Sequence, residues 1–266
     1  MIVRDTGDAW QVVLQPDHGL LAGDLARAWG NDRFAAPAAW RSVVRAATRH
    51  DDGWAIWERA PTLFSRDGGP VMPRNFLDVQ IRLHLAFYRA QIAAVTDEDP
   101  YAGLLVSMHG RGLYNGRYGT DPRLRLTFAP DEQTAVNEFV AEQESRHPAW
   151  RAELGIDDVQ MWTEYKLLQV YDRLSLHICT RDLESAPPTT IAPVPVTYDG
   201  AETQIEIHPD GPWRLRMDPY PFREQPVRFT LLRRLLPKAD WHDDDAFRND
   251  LWSLSVEPTE VVITPA

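Results

Sequence analysis

Apolar residues recur along the chain at two spacings, and the spacing changes after Ser185. Before that point they fall three and four apart, the period of a helix with one buried face. After it they alternate, as in a half-buried strand. The helical spacing predicts helices at about 17–29, 37–51, 75–95, 100–109, 131–146 and 157–181, the first with Asp17 as its N-cap. Asp5-Thr6-Gly7-Asp8, between Ile2-Val3-Arg4 and Trp10-Gln11-Val12-Val13-Leu14, reads as the turn of a β-hairpin over 1–14. Segment 59–74, rich in Pro, Gly and Arg, and segment 110–130, with Gly110, Gly112, Gly116, Gly119 and Pro122, read as loops.

Beyond the linker Ala186-Pro187-Pro188, the runs Gln204-Ile205-Glu206-Ile207, Trp213-Arg214-Leu215-Arg216-Met217 and Val227-Arg228-Phe229 alternate, and Glu260-Val261-Val262-Ile263-Thr264 forms a last strand. Trp241-His242-Asp243 reads as a surface turn in an acidic stretch. The expected architecture is mainly α. A helical body over 15–185 is flanked by the hairpin, 1–14, and a β-rich region, 186–266, which together form a small antiparallel sheet packed on the same unit.

Several helix faces carry an ionisable residue where the period demands an apolar one. The stripe Met161, Tyr165, Leu168, Asp172, Leu176, Cys179 is apolar except for Asp172. His18 shares a face with Leu21 and Leu25, His50 with Val43 and Ala47, Asp51 with Val44 and Ala47, and His84 with Ile81 and Tyr88. His109 follows Ala102 and Leu105 at the end of an apolar helix. A buried carboxylate needs a compensating charge or hydrogen bonds. One shared metal site satisfies all six residues at once, because metal ions take neutral imidazole and carboxylate. Six such ligands exceed what one tetrahedral zinc needs, which points to two ions or one octahedral ion.

Composition narrows the setting. Lys+Arg of 28 against Asp+Glu of 39 leaves a net charge of −11, which argues against nucleic acid or an anionic membrane as partner. The single cysteine, Cys179, excludes an internal disulfide, and its place on the apolar stripe makes it a packed thiol. With no signal region and no run long enough to span a membrane, a soluble, cytoplasmic protein acting on a small molecule is expected.

A histidine on an early helix, His18, an adjacent pair His50-Asp51 at the end of the next, and a distant Asp172 resemble the ordered signature of the HD superfamily. His50-Asp51-Asp52-Gly53 is similar to its H-D-x-G form, and His84 and His109 match the extra histidines of its binuclear members. The chain also resembles an uncharacterised bacterial family with the opening Gln15-Pro16-Asp17-His18 and the block His50-Asp51-Asp52-Gly53-Trp54. The resemblance covers about 15–180 and implies an HD-like helical bundle. It implies that Asp51 bridges two ions, that His18, His50 and Asp172 complete one shell, and that His84 and His109 hold the second ion.

Two chemistries follow from that resemblance. The first is hydrolysis, most commonly of a phosphoester, using water activated by one or two divalent ions of Fe, Mn, Zn or Mg. The second is the dioxygen chemistry of inositol-oxygenase-like di-iron members. A non-catalytic, ligand-binding protein is the third reading. Arg111, Tyr114, Arg117 and Tyr118, in the loop after His109, are the candidates for substrate binding. Asp52 is the candidate general base. The Gly110-Arg111-Gly112-Leu113-Tyr114 run departs from the cyclic-dinucleotide phosphodiesterases, and Leu113 stands where the oxygenases place a lysine.

Overall fold

Strand pairing ties the two ends of the chain together. The computed structural model describes residues 1–65, 68–115 and 128–266. In chain order its elements are β1 (Ile2–Asp5), β2 (Ala9–Val13), α1 (Gln15–Ala28), α2 (Trp40–Arg49), α3 (Ala55–Glu58), β3 (Leu63–Phe64), β4 (Met72–Pro73), α4 (Ile81–Glu98), α5 (Pro100–Gly112), α6 (Pro130–Leu154) and α7 (Asp158–Thr180). Then follow β5 (Thr189–Pro195), β6 (Glu202–Pro209), β7 (Arg214–Asp218), β8 (Val227–Pro237), α8 (Asp244–Ser253) and β9 (Glu257–Pro265).

Local chemistry explains most helix boundaries. Asp99 opens α5 by accepting from the Tyr101 and Ala102 N–H groups, and Asp157 opens α7 by accepting from that of Gln160. Leu14, not Asp17, stands at the N-cap of α1; Pro16 opens the first turn and Asp17 sits inside it. The helix expected from residue 75 begins at Ile81, because the Asn75 side chain accepts from Leu77 N–H and closes a separate 3-10 turn, Phe76–Asp78. α6 runs through Pro148 to Leu154 and ends on Gly155, whose φ of 65° is the left-handed conformation that favours glycine.

The sheet is not small. Seven strands lie in the order β1-β2-β8-β9-β7-β6-β5, antiparallel except for the parallel pair β7 and β9. Within β8, Arg234–Pro237 pair with β2 and Val227–Arg233 pair with β9, so this one strand joins the N-terminal hairpin to the C-terminal strands. Val227, Phe229 and Leu231 of β8 alternate inward, and one core takes them together with Leu21 and Leu25 of α1 and Leu174 and Ile178 of α7. Of the described residues, 49% are helix and 22% strand, an α/β fold. The expectation of a mainly α, HD-like bundle with a small sheet is therefore corrected.

Two elements account for much of the difference. β5 contains Pro193 and Pro195, which disguise a strand, yet β5 is an edge strand, where a missing N–H is tolerated. Asp243, read as part of a surface turn, is instead the N-cap of α8, whose side chain accepts from Ala246 N–H. Phe247 and Leu251, four apart on α8, pack with Val12, Leu236 and Trp241 in a second core. The loop expected over 59–74 holds the two-residue strands β3 and β4. Among the described residues, no helix is long and apolar enough to cross a membrane.

Candidate metal centre

Close backbone contacts bring the inward-facing residues together. A Cβ at Gly19 of α1 would overlap the carbonyl oxygen of Thr48 in α2, and one at Gly23 would overlap the Thr48 hydroxyl. Without those side chains α1 and α2 approach closely, which sets His18, beside Gly19, against His50, the C-cap of α2. The chain then passes through Asp51 into the 3-10 turn Asp52–Trp54. Gly53 N–H donates to Gln91 Oε1 at 2.8 Å, and Gln91 Nε2 donates back to the His50 carbonyl oxygen, fixing this turn on α4. α5 supplies His109 and α7 supplies Asp172.

These five residues are all buried, none more than 6% exposed. His18 Nε2 lies 3.2 Å from His50 Nε2. Asp172 Oδ1 is 3.1 Å from the first nitrogen and 3.3 Å from the second; Asp51 Oδ2 is 3.8 and 3.5 Å from them. The His109 ring packs on that of His50, with centroids 4.9 Å apart. Two groups, His18-His50-Asp51 and His50-His109-Asp172, each have ligand atoms within 4.8 Å of one another and could hold a metal ion. Around an ion with bonds of about 2.1 Å, neighbouring ligand atoms sit roughly 3.0–3.4 Å apart; the 3.1–3.3 Å spacings among His18, His50 and Asp172 fall in that range, and those of Asp51, 3.5 and 3.8 Å, are wider.

The outer side of each ring decides which nitrogen offers a lone pair. His50 Nδ1 is 2.8 Å from the Ala47 carbonyl oxygen, which can only accept, so in neutral His50 the lone pair is on Nε2. Ser175 Oγ donates to the Asp172 carbonyl oxygen at 2.9 Å and, with its hydrogen committed there, accepts from His18 Nδ1 at 2.8 Å. His109 Nδ1 lies 3.2 Å from Gln169 Oε1. Tyr88 OH donates to Asp51 Oδ1 at 3.1 Å, leaving Oδ2 toward the histidines. Such outer hydrogen bonds are what orient metal-binding histidines.

The electrostatics call for a positive charge at this point. Burial disfavours protonated His50, but the Asp51 and Asp172 carboxylates outweigh it and push the imidazole up to about 9. Burial likewise opposes ionised Asp172, yet His18 and His50 hold it well below the usual carboxylate range. Burial, and then His50, push His109 down. In the metal-free protein a proton on His50 supplies the charge that a cation would otherwise bring.

Asp51, His109 and Asp172 form part of the wall of a cavity of 660 Å³, much of which is apolar. His84, the sixth expected ligand, lines the same cavity but belongs to neither ligand group. Its ring packs on Trp54 at 4.5 Å between centroids, burial pushes it down to about 4, and its buried Nε2 has no hydrogen-bond partner among the described residues. Tyr114 also lines the cavity, and its buried hydroxyl is likewise unpartnered.

The other expected residues fall elsewhere. Asp52, the candidate general base, does not line the cavity; it accepts from Arg49 Nε at 2.6 Å in an ion pair. Arg111 faces a separate hollow of 300 Å³, where Nη1 meets Glu144 at 2.7 Å and the guanidinium stands 5.9 Å from the Trp162 ring. α5 is buried on all sides, so residues two apart, His109 and Arg111, point into different spaces. Arg117 and Tyr118 lie outside the described residues.

The groups that support the site leave little trace in the helical pattern. Ser175 and Gln169 lie three residues to either side of Asp172 and so share its face of α7. That spacing was their only signal. Glu164, also buried, shows none: it accepts from Tyr101 OH at 2.5 Å, Tyr198 OH at 2.9 Å and Ala39 N–H at 2.7 Å, joining α7 to α5, to the start of α2 and to the β5–β6 turn.

A family model described as "Protein of unknown function (DUF3891)" matches residues 1–238. No curated protein and no solved structure matches the chain. The matched family and the seven-stranded curled sheet overturn the resemblance to the HD superfamily, which rested on His18, His50-Asp51 and Asp172. The same few site residues can be placed by unrelated folds, so a short His and Asp pattern carries neither family nor fold.

Proposed function

We propose that this chain, which belongs to the DUF3891 family of proteins of unknown function, is a metal-dependent hydrolase of a small molecule, its ion held by His18, His50, Asp51 and Asp172 with His109 beside them. One observation carries the reading. Two Nε2 atoms, each turned inward by a hydrogen bond on the ring's other nitrogen, face two carboxylates beside a cavity large enough for a substrate. A divalent ion supplies Lewis acidity and makes water a nucleophile at neutral pH. The chain's own groups orient and exclude. Ser175 and the Ala47 carbonyl set the two rings, Tyr88 sets Asp51, and apolar walls limit bulk water around the reacting bond. In hydrolysis the water oxygen bonds to the reacting centre, the scissile bond breaks, and the leaving group departs with a proton.

Elemental mass spectrometry on protein purified without added metal tests the assignment. At least one equivalent of a divalent metal is expected in the wild type, and His50→Ala and Asp172→Ala should each lose it while circular dichroism stays unchanged. A metal-free wild type, or full stoichiometry in both variants, sinks the reading. Iron with a mixed-valent EPR signal would replace hydrolysis with dioxygen chemistry.

A further inference from the structure

Resting on the metal-dependent hydrolase reading, we infer that the substrate is an uncharged ester or amide with an alkyl or aryl body, and not a nucleotide or another polyanion. The body packs on Trp54, Phe76, Val79, Ile81, Leu113 and Leu176, and the carbonyl end meets the metal ligands together with His84 and Tyr114.

Three features of the cavity support this. Its volume, 660 Å³, suits a small molecule, and most of its wall is aliphatic or aromatic. The described lining offers a polyanion little complementary charge: Arg173 is the one Lys or Arg among those residues, and Glu132 adds a negative charge beyond the Asp51 and Asp172 carboxylates that the ion would offset. Sites for phosphates present several cationic donors or clustered backbone N–H groups. The third feature is a pair of uncharged polar atoms, His84 Nε2 and Tyr114 OH, both buried, both on lining residues and neither partnered among the described residues. Buried polar atoms are rarely left unpaired. Neutral donors and acceptors in an apolar pocket match the carbonyl of an ester, or the carbonyl and N–H of an amide, and orient it without needing charge.

The test is calorimetric titration of the metal-loaded protein with N-methylalkanamides from butanamide to octanamide, with ATP as competitor. Affinity should rise about fourfold per added methylene until the cavity is filled, and millimolar ATP should not displace the octanamide. Leu113→Gln and Leu176→Gln, at half-buried positions, should flatten the series. Tyr114→Phe should weaken every member by about two- to tenfold without changing the slope. A flat series in wild-type protein that holds its metal, or displacement by ATP, overturns this inference and leaves the hydrolase reading standing. A rising series in protein that takes up no metal supports the apolar pocket and overturns the hydrolase reading alone.

Discussion

Ser175 does for His18 what the Ala47 carbonyl does for His50: each holds Nδ1 and so presents Nε2 inward. Ser175→Ala is expected to lower metal affinity about 10- to 100-fold, measured by competition with a chromophoric chelator. Unchanged affinity would mean that packing alone orients His18. At this scale the sequence is uneven in what it shows. Asp172 is conspicuous because a charge interrupts an apolar stripe, whereas Ser175 is small, neutral and ordinary in a helix. Asp52, adjacent to His50-Asp51 in the chain, accepts from Arg49 and does not line the cavity, which its place in the sequence does not show.

The contact of α1 with α2 is the element-scale device behind the site, and its two glycines differ in a testable way. Gly19 faces Thr48 backbone and Gly23 faces the Thr48 side chain. Either glycine changed to alanine should destabilise the fold by about 1–3 kcal/mol through overpacking and weaken metal binding by shifting His18. Adding Thr48→Ala should recover much of the loss for Gly23→Ala and little for Gly19→Ala, read from denaturant midpoints. Equal rescue of both would place the strain elsewhere. The sequence shows that α1 and α2 exist, because period and boundaries are local. It does not show that they touch at Thr48, a fact set by two glycines meeting a residue some 25 positions away.

Across the whole molecule, buried and half-buried histidines away from the centre couple folding to acid. His147 is pushed down to about 3 by burial, then by Arg111 and Arg146; His177 is pushed down to about 4 by burial, then by Arg181 and Arg173. The unfolded chain titrates such groups near 6.5 and therefore binds protons that the fold refuses. Their contribution to stability is complete above about 6.5 and is lost as pH falls toward 3–4. The urea midpoint should thus drop between pH 7 and pH 4.5, and His147→Gln, which can keep the Ser107 hydrogen bond at 2.8 Å, should narrow the drop. A midpoint that holds or rises on acidification contradicts this. The sheet shows the same limit of local reading. β6, β7 and the start of β8 alternate visibly, but β5 is masked by prolines, and no local pattern says that β8 will bridge the two ends of the chain.

What the sequence by itself determined is the set of inward-facing ionisable residues, His18, His50, Asp51, His109 and Asp172, because helical period is a property of neighbours three and four apart. Only the tertiary structure decided that these five meet, that His84 stands in the cavity outside both ligand groups, that Arg111 opens to another hollow, and that the fold is α/β. Those facts depend on pairings between segments far apart in the chain, where burial, close glycine contacts and strand register are settled together rather than residue by residue.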